Sequence, residues 1–277
     1  MADALNDLIS DNNEQRDLID NVVSKVPEVT LVFWIIKILC TTLGETGGDA
    51  FTMSFLGETT AEGNGSGYLI GTAVFAVIFL AAVAIQIKAK KFHPFLYWFT
   101  IIATTTVGTT MADYLTRSQG LGYAVGSTIL LICVIGSLVV WRIVTGTIDI
   151  TSVRSPRSEL FYWLTIMFSQ TLGTALGDYV ASDDGLNLGY LVSAAVFGGG
   201  LLVLVLLYYF SRASRTILFW IAFILTRPLG AVVGDFLDKP VEDGGLELSR
   251  YVATGLLLVL IILAILIFKQ RPAEEAH

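Results

Sequence analysis

Four carboxylates stand at the same place in four copies of one pattern. Tryptophan is followed by glycine ten residues on and by aspartate fifteen residues on, at Trp34/Gly44/Asp49, Trp98/Gly108/Asp113, Trp163/Gly173/Asp178 and Trp220/Gly230/Asp235. Each copy lies in a hydrophobic stretch, where an ionised side chain is expensive, so four at one depth need a reason. A cation supplies one. Counted from each Trp, position +8 is Thr42, Thr106, Thr171 and Pro228, and position +11 is Glu45, Thr109, Thr174 and Ala231. At about 100° per residue, +8, +11 and +15 fall within about 60° of one another and form a single polar stripe on a helix. Carboxylates and hydroxyls are hard oxygen donors, suited to Mg²⁺, Ca²⁺ or Mn²⁺, or to Na⁺ and protons. The candidate metal-ligating residues are therefore Asp49, Asp113, Asp178, Asp235, Glu45, Thr42, Thr106 and Thr171. Asp113 and Asp178 have the fullest oxygen set, because their repeats keep Thr at both +8 and +11.

A softer site has no support. Met53, Met111 and Met167 fall at unrelated positions, and Cys40 and Cys133 make no CxxC pair. Ions such as Cu⁺ are disfavoured. A capping role for the Asp residues stays open, since each lies about 22 Å along the span from its Trp, nearer a helix end than the midplane. The hydroxyls one and two turns below are not explained by capping.

Three charged residues break the fourfold pattern. Lys37 at +3 is near a span end and can snorkel outward. Glu45 at +11 adds a fifth carboxylate. Arg227 at +7 lies two turns below Asp235 and is expected to neutralise a motif Asp. Pro228 beside it removes a backbone hydrogen bond and invites a kink.

The elements that must position this stripe follow from composition. The chain of 277 residues is 54% hydrophobic and only 15% charged, with a mean hydropathy of +0.71. Long apolar runs predict spans at about 31–56, 66–87, 95–116, 121–144, 160–181, 187–211, 216–238 and 248–269. The predicted fold is an all-α membrane protein. Its eight transmembrane helices pair as four parallel two-helix repeats, 31–93, 94–158, 159–215 and 216–269, around an axis along the membrane normal. Small residues at +10 and +14 make a ridge on which membrane helices approach closely. That ridge and the polar stripe occur only on the Trp-bearing helices, which are expected to form the inner ring, with the nearly pure aliphatic helices outside. The Trp and Tyr residues near span ends read as interfacial anchors.

Residues 1–30 are acidic, with Leu5, Leu8, Ile9, Leu18, Ile19, Val22 and Val26 at helical spacing, and read as a cytoplasmic segment; residues 270–277 form a short cytoplasmic tail. Basic residues such as Lys88, Lys90, Lys91, Arg142, Arg154, Arg212 and Arg215 follow the even-numbered spans, while the opposite loops are acidic. The positive-inside rule then places both termini in the cytoplasm. A net charge of −7 with no basic face argues against nucleic acid.

The segments TTLGETGGD, TTVGTTMAD, QTLGTALGD and RPLGAVVGD, each after its Trp, resemble a bacterial integral-membrane family of four tandem two-helix repeats of unknown function. The resemblance covers residues 31–269 and implies a multi-pass protein of the bacterial inner membrane. It also implies a link to metal homeostasis, with export of manganese or a similar divalent ion as the attached activity. Repeat four departs at Pro228 and repeat two at Ala112. From the residues themselves, the first expectation is a secondary transporter of a hard divalent cation, coupled to protons, with metal ion, protons and the lipid bilayer as partners and no bound cofactor. A passive cation channel and a non-transport scaffold or sensor remain alternatives. No nucleophile–base pair recurs and no Walker A motif is present, so an enzyme is not expected.

Overall fold

The computed structural model describes residues 24–58 and 66–273. The periodic positions from Leu5 to Val22 lie outside them. Eight long helices make the described fold, which has no strand: α1 (Leu31–Asp49), α2 (Ser66–Lys88), α3 (Pro94–Asp113), α4 (Tyr123–Thr145), α5 (Pro156–Ala181), α6 (Gly189–Phe210), α7 (Arg215–Asp238) and α8 (Arg250–Ile267). Their starts follow local chemistry. The Thr30 and Ser155 side chains accept from Phe33 N and Ser158 N, while Pro94 and Pro156 open α3 and α5 with a preset φ and no amide to orphan. α7 runs unbroken through Pro228.

Six helices are long and apolar enough to cross a membrane: α1 with its extension, α2, α4, α6, α7 and α8. α3 and α5 fall short of that apolarity. The sequence accounts for it: α3 carries Thr104, Thr105, Thr106, Thr109 and Thr110, and α5 carries Glu159, Ser169, Gln170 and Thr171, all buried inside the protein. Their polarity faces protein.

The odd-numbered helices form a closed cycle. α1 packs on α3, α3 on α5, α5 on α7 and α7 on α1. Each even-numbered helix lies outside, mainly against the inner helix of the following repeat: α2 on α3, α4 on α5, α6 on α7, and α8 back on α1. Every repeat is thus locked to the next by both of its helices. The outer helices are apolar on the outward face as well as on the packed one, with Val77, Ile132, Leu202 and Leu256 exposed, a pattern that suits lipid.

One register rule holds at all four inner junctions. The +7 residue of each inner helix lies against the +10 glycine of the preceding one: Thr105 on Gly44, Gln170 on Gly108, Arg227 on Gly173 and Thr41 on Gly230. The +11 residue likewise meets +14 where that position is glycine: Thr109 on Gly48, Ala231 on Gly177 and Glu45 on Gly234. The small ridge expected from sequence is therefore the contact surface. The three-residue offset recurs around a ring that closes, so it reflects helices inclined to one another rather than slid along the axis.

The Trp end of the ring is filled by aromatics. Trp98, Trp163 and Trp220 are buried, packed with Tyr97, Tyr162, Trp141 and Phe219; only Trp34 is partly exposed. The Tyr97 and Tyr162 hydroxyls lie 2.6 Å apart. This corrects the interfacial-anchor expectation for three of the four tryptophans: converging inner helices bring their rings together, and mutual burial leaves little ring for the bilayer. Over this plug lie both ends of the described chain. Glu28 N donates to Arg271 O at 2.8 Å and Ala273 N to Val26 O at 2.8 Å, with Val26 and Ala273 buried.

Candidate functional site

At the Asp end, α1 and α3 pass directly into π-helical turns, Ala50–Phe55 and Tyr114–Ser118, while α5 and α7 stay α-helical through their Asp. Such wide turns are common at functional sites. All four motif carboxylates are buried there, at 1% exposure for Asp49 and Asp113, 5% for Asp178 and 3% for Asp235. Neither Asp49 nor Asp113 makes a capping hydrogen bond.

Two basic residues hold the four aspartates in pairs. Arg117 lies 3.0 Å from Asp113 through Nε and 3.3 Å from Asp178 through Nη2. Lys239 Nζ touches Asp49 Oδ2, lies 3.0 Å from Asp235 Oδ1 and 3.8 Å from Asp238 Oδ1. Asp238 also takes Arg250 at 3.0 Å. Each base stands four residues after the Asp of its own repeat and reaches the Asp of the next, so Arg117 joins repeats two and three while Lys239 joins four and one. Sequence reasoning missed both. The signal was there in Asp113…Arg117 and Asp235…Lys239, one helical turn apart.

One turn below, Glu45 is the hub. Its Oε2 accepts from Arg227 Nη2 at 2.9 Å, from Thr109 Oγ1 at 3.4 Å and from Thr174 Oγ1 at 3.5 Å. Arg227 Nη2 also lies 2.6 Å from Thr109 Oγ1 and against Thr174 Oγ1. The +11 residues of repeats one to three thus converge on a single guanidinium from repeat four. Arg227 pairs with Glu45 and with none of the four motif Asp residues, contrary to the expectation that it neutralises one of them. The junction geometry beds its stem on Gly173 and turns its head toward the +11 layer, while Lys239 takes Asp235.

The structure gathers some predicted ligands and not others. Glu45, Asp49 and Asp235 bring one carboxylate oxygen each within 4.8 Å of one another, all three buried. Asp113 and Asp178 instead share Arg117. Thr42, Thr106 and Thr171 are buried, and each donates to the backbone carbonyl four residues back, Ile38 O, Ile102 O and Met167 O, at 2.9–3.0 Å. Their hydroxyl protons are occupied, leaving only lone pairs for a ligand. Lys37 does not snorkel. It is fully buried, its Nζ 4.1 Å from the centre of the Phe223 ring.

No curated protein and no solved structure matches the chain significantly. A family model described as a Repeat of Unknown Function matches four successive segments, residues 32–92, 96–147, 161–214 and 218–271. Each contains one Trp–Gly–Asp unit and the outer helix that follows it, and together they take in most of the chain: it belongs to this family, DUF347.

Proposed function

We propose that this protein is a secondary transporter of a hard divalent cation of the Mn²⁺ type, exporting it from a bacterial cell in exchange for protons. The observation that carries the reading is the buried triad of Glu45, Asp49 and Asp235, three carboxylates within reach of one ion. Such donors are what a hard cation takes in place of its water. Lys239 occupies two of them from a position at the lip of the cluster, with 14% of its side chain exposed. An entering cation replaces this ammonium, and protons reload the carboxylates when the cation leaves.

In this reading all eight helices span the inner membrane as four parallel repeats about an axis along its normal, with both termini in the cytoplasm. The common register of the four inner junctions supports the parallel arrangement. The enclosure of α3 and α5 between other helices supports their crossing despite their polarity.

A second reading has its own observation. Each motif Asp touches a basic side chain, so the same charges serve equally as interhelical ties in a scaffold. Metal accumulation in cells making Asp49→Asn or Asp235→Asn at matched membrane abundance separates the two. A transporter loses export in both variants, because Asn keeps the shape and one oxygen but not the charge that offsets dehydration of a divalent ion. Wild-type metal levels in both would leave the scaffold. Flux that ignores an imposed proton gradient would point to a channel instead.

A further inference from the structure

We propose that the ring binds a small inorganic anion of the chloride class in the slice beneath Glu45, between Lys37 and Arg227. Two layers of the inner helices define this slice. The +7 layer is Thr41, Thr105, Gln170 and Arg227, interlocked with the +10 glycines. One turn nearer the Trp end, the +3 layer is Lys37, Ile101, Ile166 and Phe223, every one fully buried. Lys37 is the only polar member of that lower layer. It reaches from α1 to Phe223 on α7, which stands one turn before Arg227 on the same helix. Both cations thus reach the interior beside α7, Lys37 over Phe223 in the +3 layer and Arg227 with its stem in the +7 layer and its head toward the +11 layer.

What they share is unmet donor capacity. Among the described residues, no hydrogen-bond acceptor meets Lys37 Nζ, Arg227 Nε or Arg227 Nη1, nor the Gln170 amide nitrogen or the hydroxyls of Thr105 and Ser169; Gln170 Oε1, an acceptor in the +7 layer, is also unpaired. The one carboxylate that touches either cation is Glu45, on Arg227 Nη2. Two basic side chains thus stand against one carboxylate in a region closed to solvent. Buried charges persist only where an opposite charge and hydrogen bonds offset their lost hydration. A water molecule supplies acceptors but no charge; a monatomic anion supplies both. The donors are of the kind that hold such an ion: an ammonium, a guanidinium edge, an amide and hydroxyls. The site stands whether or not the carboxylates above it carry a transported cation.

The test uses the purified full-length protein in detergent or nanodiscs. Its thermal unfolding midpoint is followed as chloride replaces gluconate at fixed ionic strength and pH. The midpoint should rise with chloride and saturate, bromide should substitute, and Lys37→Met, which keeps the stem over Phe223 and removes the charge, should abolish the response. A wild-type midpoint indifferent to chloride overturns the proposal, as expected if the Lys37 amine is neutral and needs no counter-ion. So does a response that persists unchanged in Lys37→Met. Should that variant fail to fold, equilibrium binding of radiolabelled chloride to the wild type decides, with about one ion per chain expected and none overturning it.

Discussion

The guanidinium of Arg227 lies 2.9 Å from the carboxylate of Glu45, tying the fourth repeat to the first inside the ring. Both side chains are fully or almost fully buried. Removing either partner alone strands the other, and for buried pairs that costs about 3–5 kcal/mol. Arg227→Met and Glu45→Gln should each lower the unfolding midpoint strongly. The double variant should recover much of the loss, since no charge then remains unpaired at that contact. Additive losses in this double-mutant cycle would show that the two residues act separately.

The register rule predicts which glycines tolerate a methyl group. A Cβ at Gly173 would collide with the Arg227 stem, and one at Gly44 with Thr105, whereas Gly198 on the outer face of α6 has open space around it. Gly173→Ala and Gly44→Ala should destabilise by about 1–3 kcal/mol, as overpacking does in well-filled interiors. Gly198→Ala should be neutral or stabilising by up to about 1 kcal/mol, because Ala is the better helix former. The check is the unfolding midpoint of the three variants in one detergent.

Much of this architecture is legible in the sequence for a definite reason. The repeat recurs at fixed spacing, so positions +10, +11 and +15 keep their meaning in every unit, and the small ridge could be read as a contact surface. Reading one helix at a time, however, gives angles and not partners. Arg227 looked toward Asp235 because both are on α7; across the junction it meets Glu45, Thr109 and Thr174 instead. Tryptophan near a span end looks the same whether it meets headgroups or three other aromatic rings. Arg117 and Lys239 stand out less in the sequence because they lie where the chain leaves the helix, Lys239 ahead of an acidic loop, though each is one turn from an Asp.

At the Trp end, Lys25 and Glu159 form an ion pair of 2.7 Å that fastens the N-terminal strap to the start of α5, just ahead of the span expected at 160–181. Lys25 also donates to the α2 carbonyls Gln86 O and Ile87 O. Burial pushes the Glu159 carboxyl up to about 7, against the pull of Lys25. A raised carboxyl pKa means the folded state holds the proton more tightly than the unfolded chain between about pH 4.5 and 7. Stability contributed by this group should therefore fall as pH rises through that window and level off above it. Glu159→Gln should remove that component of the slope, measured as the unfolding midpoint between pH 4.5 and 8. An unchanged slope would assign it elsewhere.

Lys239 offers the sharpest division between an ion site and a scaffold. Its ammonium is the charge that lets Asp49 and Asp235 lie together beside Glu45. Lys239→Met removes that charge and keeps the stem. Glu45, Asp49 and Asp235 then face one another with Arg227 on Glu45 alone, while Asp238 keeps Arg250, and like charges in a buried site destabilise the fold. If the cluster accepts a hard divalent cation, millimolar Mn²⁺ or Mg²⁺ should restore the unfolding midpoint, with Mn²⁺ acting at the lower concentration, because the ion replaces the missing ammonium. Arg117→Met is the control: it frees Asp113 and Asp178, two carboxylates rather than three, and should be rescued less at equal metal. A scaffold predicts that neither variant responds to divalent ions beyond the effect of ionic strength, which NaCl at matched strength measures. Equal rescue of both variants would shift the ion site away from Glu45, since only the Lys239 side of the ring includes it.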